Sequence, residues 1–417
     1  MNQKADLSPG PPATTQPSTR PPGRMKMKTG EFIALSACTM TLTALGIDIM
    51  LPAFGALRVH FGLPADSTAP SQVIVFFFLG QMCQIVFGVL SDRFGRLPVL
   101  RVGFPLYIAG GIAAALAPSL GWMLAARFVA GAGASALMTT TIAGVRDRFA
   151  GDRMARILSL IFTIFLFTPV VAPFLGLAVL SVASWRAVFG VPPLAALIIF
   201  LWSFRLEESL PRARRSTLRW RSTGQSIRGV LQNRTFLRYT GITTLLFAAL
   251  SAYVASSEYL AGTIYGRPEW FAPIFAGIGL VMAGCTLLNA RLSSRYGARR
   301  TIRVLLLLYA GVAAGLLLLT FLLGDPPPMA LFFTAVGLLM ALNLAVEPNS
   351  SALAMEPMGD RAGMASAVYG TAFFFIGATL GSVITRFLVG GVWPLVVGFF
   401  VIGLVTVALV LGDRRPQ

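Results

Sequence analysis

The sequence predicts an all-α polytopic membrane protein of twelve spans in two six-helix halves, with both termini cytoplasmic. Three observations carry the prediction. Only 12% of the 417 residues are charged, 56% are hydrophobic, and the mean hydropathy is +0.75, whereas soluble domains carry roughly a quarter charged residues. Apolar runs close to the length a bilayer demands, about 20 residues, recur twelve times. A basic hairpin, GVLSDRFGRLP at 88–98, returns as ARLSSRYGARR at 290–300, so that Leu90, Ser91, Arg93 and Gly95 match Leu292, Ser293, Arg295 and Gly297. Self-similarity at one fixed offset marks an internal duplication, and duplicated halves in an apolar chain mark many secondary transporters.

In chain order, residues 1–28 are rich in Pro, Thr, Ser and Gly and hold no apolar run. They read as a disordered tail, and no h-region or cleavage site makes them a secretory signal. An N-terminal bundle, 29–205, holds spans near 31–53, 71–90, 98–117, 121–145, 157–181 and 185–205. Residues 206–238 form a basic connector broken by Pro211 and Gly224. A C-terminal bundle, 239–411, holds spans near 239–262, 271–291, 301–323, 329–354, 364–386 and 390–411, and 412–417 form a short cytoplasmic tail. Orientation follows from the basic residues. With both termini inside, the tails, the connector with its flanks and the loops 90–101, 146–156, 291–303 and 355–363 hold 29 of the 34 Lys and Arg residues. Outside lie only Arg58, Arg186, Arg267 and Arg386, and Arg127 is within a span. Such a bias requires an even number of spans.

A net charge of +18 would point to nucleic acid in a soluble protein, but here the arginines flank apolar spans, so membrane lipid is the expected partner and nucleic acid is not. Cys38, Cys83 and Cys285 all fall inside spans without close spacing, which gives neither a disulfide framework nor a metal site. The lone histidine, His60, lies in a loop. A catalytic triad, a zinc cluster or a polytopic transferase would need company for it. No enzyme activity, metal or cofactor is expected.

Polar groups at membrane depth are the next clue, because ionised ones cost a few kcal/mol on insertion scales. Asp48 sits near the outer end of the first span, in LGIDIMLPAF, and Arg127 opens RFVAGAGAS in the fourth. Glu258 falls in the seventh span and Glu347 in the tenth. Arginine does not shed its proton and must meet water, a carboxylate or carbonyls; a carboxyl can instead become neutral in a dry site. One fixed cation with titratable acids is what proton coupling needs, so Asp48 and Arg127 are the coupling candidates. A static structural pair is the plainer alternative. Asp48, Glu258, Glu347, Gln81, Tyr253, Asn343 and Asn349 are the expected lining of a substrate cavity.

The first hairpin has its own physics. Gly88 permits close helix contact, and Gly95 supplies a conformation other residues resist. Asp92 can accept hydrogen bonds at a helix N-terminus, Arg93 and Arg96 favour the cytoplasmic side, and Asp147 in VRDRF is a plausible partner for Arg96. The second copy has Ser294 in place of Asp92, so an electrostatic latch is expected in the first half alone. Pro169 and Pro173 in the fifth span, followed by Gly176, free backbone carbonyls and bend the helix, as cavity-lining helices often do. Gly131 with Gly133, Gly277 with Gly279, and Gly377 with Gly381 serve close packing or sliding surfaces.

These residues resemble a known family. GVLSDRFGRLP is similar to the signature hairpin of the major facilitator superfamily. LGIDIMLPAF, RFVAGAGAS, APFLGLAVL with SWRAVF, and GMASAVYGTAFFFIGATLGS are similar to the Bcr/CflA branch of its twelve-helix drug:proton antiporters, over about residues 30–410. The resemblance implies a major facilitator fold. It implies that Asp48 is the acid of the first helix that binds protons or substrate, and that Arg127 is the coupling arginine of the fourth. Gly88, Asp92, Arg93, Gly95, Arg96 and Asp147 would form the gating cluster that holds the outward-open state shut on the cytoplasmic side. Pro169, Ala172, Pro173 and Gly176 would fall on the antiporter motif. The chain departs from the family at Ala130, where Gln is usual, and at Ala172 and Leu177, where Gly is preferred. The expected function is proton-driven efflux of a small, amphipathic, drug-like compound such as an antibiotic, by a monomer in a bacterial inner membrane. A proton-coupled importer of a sugar or organic acid is the alternative on the same fold.

Overall fold

The computed structural model describes residues 27–215 and 227–412. The tail 1–26, the connector residues 216–226 with Gly224, and the C-terminal 413–417 lie outside the described residues. Among the described residues twelve helical spans are long and apolar enough to cross a membrane. The first six are α1 (Thr29–His60), α2 (Ala69–Phe94), α3 (Arg96–Ala115), α4 (Leu120–Arg148), α5 (Arg156–Val182) and α6 (Trp185–Ser203). The second six are α7 (Arg234–Ile264), α8 (Pro268–Tyr296), α9 (Ala298–Leu323), α10 (Met329–Gly359), α11 (Gly363–Arg386) and α12 (Trp393–Leu411).

Every predicted span is present, and several run further than their apolar cores. The loop expected at 146–156 shrinks to Phe149 and Ala150, because helix resumes at Gly151. The hairpin between α2 and α3 is one residue, Gly95, at φ 107°, a backbone region that side chains with a Cβ avoid.

Burial repeats with the duplication. The apolar windows of α1, α4, α7 and α10 are 72%, 67%, 83% and 56% buried, against 22–44% for the other eight. The first and fourth helix of each half therefore form the centre, and the others carry lipid-facing surface. Within the first half the centre is packed backbone to backbone. A Cβ on Gly131 of α4 would fall on the carbonyl of Phe77 in α2, so only glycine permits that crossing. The halves meet along α5 with α8, α2 with α11, and α1 with α7.

Helical regularity fails where the halves meet. A 3₁₀ turn interrupts α1 at Leu51–Ala53 and α2 at Gln81–Cys83. π-helical turns occupy Leu260–Ile264 at the end of α7 and Ala372–Ile376 in α11. Such irregular turns re-aim side chains and recur at functional sites. The end of the bundle bearing the arginine-rich loops is called the basic face below, and the other end the opposite face.

Candidate functional site

The break in α1 has a covalent cause. Pro52 has no N–H to give the carbonyl four residues earlier, and the α-helix stops at Asp48 before the 3₁₀ turn. Helix then resumes over Phe54–His60. Asp48 thus has a helical segment on either side and lies inside the span, not near its end as the apolar run 31–53 suggested. The residue is 5% exposed, and its carboxyl has no hydrogen-bond or ion-pair partner among the described residues. From α5, Gly176 presses on the same place: a Cβ there would strike the Ile49 carbonyl. From the other half, Tyr253 of α7 lies within electrostatic reach of Asp48. Its ring stacks on Phe275 at 6.0 Å, and its buried hydroxyl has no partner among the described residues.

Arg127 is buried at 1% exposure and meets carbonyls, not a carboxylate. Its Nη2 donates to the Gly46 carbonyl at 2.5 Å and its Nε to the Val73 carbonyl at 3.3 Å, with the guanidinium 4.3 Å from the Phe77 ring centroid. Tyr107 donates to the Leu42 carbonyl at 2.6 Å. Donors from α3 and α4 therefore hold the backbone of α1 at Leu42 and Gly46, six and two residues ahead of Asp48. Arg127 and Asp48 form no ion pair, so any coupling between them runs through the backbone of α1.

The acids of the second half have different surroundings. Glu258 pairs with Arg58 of α1 through two contacts, Nη1–Oε1 at 3.1 Å and Nη2–Oε2 at 2.8 Å. The side chains are 15% and 8% exposed. Arg58 also donates to the Ser67 carbonyl at 2.9 Å and lies 5.7 Å from the Tyr259 ring centroid. Of the ion pairs among the described residues, this one alone joins the halves, and it does so at the opposite face. Nearby, Ser382 of α11 donates to Gln72 of α2 at 3.1 Å. Glu347 is partly exposed and accepts one hydrogen bond, from the Tyr369 hydroxyl at 3.3 Å. No cation reaches it among the described residues.

The neutral polar residues divide in two. Gln81 is 1% exposed and neither of its side-chain polar atoms has a partner among the described residues. Asn343 instead donates to the Leu246 carbonyl at 2.6 Å, tying α10 to α7. Asn349 donates to Asn289 at 2.8 Å and accepts from Ser293, in the second hairpin, at 2.9 Å. These two asparagines act as ties between helices.

On the basic face, Arg96 donates to Asp147 at 2.8 Å, to Asp92 at 2.5 Å and to Ser91 at 3.0 Å. The α3 N-terminus is capped not by Asp92 but by Glu208, which follows α6 and accepts from the Arg96 and Leu97 amides at 2.9 and 3.1 Å. Asp92 belongs to the preceding helix and is drawn to the Arg96 side chain instead. Ser209 adds a hydrogen bond to Asp147 at 3.0 Å. Ser294 bears no charge, but the second half has an ion pair elsewhere: Arg299, in the first turn of α9, meets Glu356 near the end of α10 at 2.6 Å. Gly88 faces Thr139 of α4 at van der Waals distance, and Arg93 lies over the Phe94 ring. In α5, Pro169 and Val170 face Gly279 of α8, and Ala172 is buried. A cleft at the basic end of the first half, lined by Phe32, Thr140, Arg148 and Glu207 among others, contains none of the membrane-depth acids.

The residues that sequence reasoning missed are Arg58, Glu208, Glu356, Tyr369 and an aromatic group between the halves. In that group Phe78 of α2 meets Phe247 of α7 at 5.0 Å and Phe374 of α11 at 6.3 Å. The run AFFFI in α11 was a readable signal for it.

Comparison with known proteins gives a consistent picture. The sequence pattern of the Major Facilitator Superfamily matches residues 36–382. The chain is 29% identical to a chloramphenicol resistance protein of Pseudomonas aeruginosa, over 89% of each chain. It is 27% identical to a bicyclomycin resistance protein homolog of Haemophilus influenzae, over 85% of this chain and 88% of the relative. Among solved structures, a partially occluded inward-open form of the xylose transporter XylE from E. coli superposes with a TM-score of 0.68 at 12% identity, over 92% of this chain and 98% of that one.

Proposed function

The chain belongs to the major facilitator superfamily, and from that premise we propose that it exports a small, amphipathic, drug-like compound in exchange for protons, by alternating access. It is a multi-pass membrane transporter whose relatives are named as drug and multidrug resistance proteins. The observation that carries proton coupling is Asp48: a buried carboxyl with no counter-ion among the described residues, at a helix break, where α1 meets α5 and the second half. A proton there cancels a charge that the dry surroundings disfavour, so protonated and ionised forms prefer different arrangements of the halves. Coupling follows when proton and drug favour opposite states or compete for one. Arg127, fixed on the Gly46 carbonyl, holds the α1 backbone against which that exchange takes place. Moving one charge through 100 mV releases about 2.3 kcal/mol, which sustains a roughly 50-fold gradient of a neutral compound.

Alternation also sets a demand on the opposite face. Any rocking that opens it must part Arg58 from Glu258. By the positive-inside rule the basic face is cytoplasmic; relatives from bacteria support a bacterial inner membrane, and contact of the two halves within one chain supports a monomer surrounded by lipid. The test is accumulation of chloramphenicol in expressing cells with and without a protonophore. Export predicts low accumulation that rises to the level of non-expressing cells on uncoupling. A fall on uncoupling would instead mean uptake.

A further inference from the structure

Within the exporter reading, Glu347 and its surroundings bear on the kind of compound carried. Tyr369, 9% exposed, donates to Glu347 and is flanked by Thr243 and Ser351, so the carboxylate is aimed rather than free to turn. The Tyr369 ring stacks on Phe373 at 6.1 Å with 13° between planes, and Phe373 lies 4.2 Å from Phe247. From there the rings continue through Phe374 to Phe78 of the first half. One carboxylate therefore stands at the edge of an aromatic wall that crosses the junction of the halves.

The arginines within the spans do not neutralise it. Arg127 is spent on two carbonyls and the Phe77 ring, Arg58 at the opposite face is taken by Glu258, and Asp48 is a further carboxyl. Pro348, next in sequence, lacks the N–H that would bond the Leu344 carbonyl, which leaves another electron-rich oxygen on this stretch of α10. We infer that Glu347, positioned by Tyr369 and backed by Phe247, Phe373 and Phe374, is a binding subsite for the cationic centre of a lipophilic substrate. A carboxylate supplies the ion pair, and ring faces attract a cation through their quadrupoles while burying its apolar groups. A neutral compound would use the wall alone.

The inference rests on the exporter reading, so two probes are compared by equilibrium binding to the purified full chain: tetraphenylphosphonium, a lipophilic monovalent cation, and chloramphenicol, which is neutral. The wild-type protein is expected to bind both. Glu347→Gln, nearly isosteric, is expected to weaken the cation by about tenfold or more, as loss of one partner of a desolvated charge pair does, and to leave chloramphenicol within about twofold. Glu347→Asp keeps the charge and should recover part of the affinity, and Tyr369→Phe should weaken the cation by about threefold, the scale of one hydrogen bond. Thermal unfolding checks that each variant is folded, and Tyr369→Phe, weakening the cation but not chloramphenicol, carries the comparison should Glu347→Gln fail to fold. Equal binding of the cation by wild type and Glu347→Gln, or wild-type binding of chloramphenicol without the cation, overturns the subsite and leaves the exporter reading standing. Binding of neither probe by the wild type removes both.

Discussion

The two ends of the bundle are tied by the same chemistry put to different ends. At the opposite face, Arg58 and Glu258 reach from one half to the other. At the basic face, Arg96 with Asp147 and Arg299 with Glu356 each stay within a half. A pair that crosses the junction must break whenever that face opens, so it sets the balance between conformations. A pair confined to one half moves with it and bears first on how firmly that half is built. Sequence distance says nothing of this: 200 residues separate Arg58 from Glu258, against 51 for Arg96 and Asp147.

The largest effect is expected from breaking the crossing pair. Removing one partner of a mostly buried charge pair costs on the order of 2 kcal/mol or more, a shift of roughly 30-fold in a two-state balance. Spin labels at Asp66 and Val389, one on each half, report the separation by pulsed resonance. Glu258→Gln should move the population toward the longer distance, and the swap Arg58→Glu with Glu258→Arg should return it. An unmoved distance in Glu258→Gln would show that the pair is no latch.

A middle-sized effect is expected within the first half. Asp147→Asn weakens the contact to Arg96 and should lower stability by about 1–2 kcal/mol, read as a lower melting temperature. The Asp66–Val389 distance should stay as in the wild type; a change there would blur the distinction between the two kinds of pair. Asp92 is 55% exposed, so Asp92→Asn should leave folding and drug affinity intact and slow turnover by about threefold, through the gating role the hairpin implies. Affinity lost with turnover preserved would remove that role. The smallest effect belongs to Glu356, 54% exposed: Glu356→Gln should change stability by less than about 0.5 kcal/mol, as exposed pairs do.

The parts legible in the sequence are those written locally. Twelve apolar spans follow from the runs of hydropathy along the chain, and the hairpin and its repeat announce the duplication. That Arg127 would have to meet carbonyls or a carboxylate follows from its fixed charge. What stayed hidden depends on which distant segments touch. Glu258 read as a cavity acid because nothing near it in sequence names Arg58, and Arg58 read as a loop cation because α1 runs past its apolar core to His60. Glu208 sits in a stretch that reads as polar connector, yet it caps α3. Asp48 looked peripheral because the apolar run ends near 53, whereas helix continues past the Pro52 break to His60. The duplication misled once as well, because matching the hairpins position by position hides that Arg299, one place beyond the counterpart of Arg96, finds Glu356.

The central claim is that Asp48 carries the proton exchanged for drug. Its most direct test reconstitutes the wild-type chain and Asp48→Asn into liposomes loaded with a pH-sensitive dye, then adds chloramphenicol or tetraphenylphosphonium outside. Wild-type protein should answer added drug with proton movement in the opposite direction, and an imposed pH difference should drive drug against its gradient, with both responses absent in Asp48→Asn. Equal proton movement by the two proteins would contradict the account.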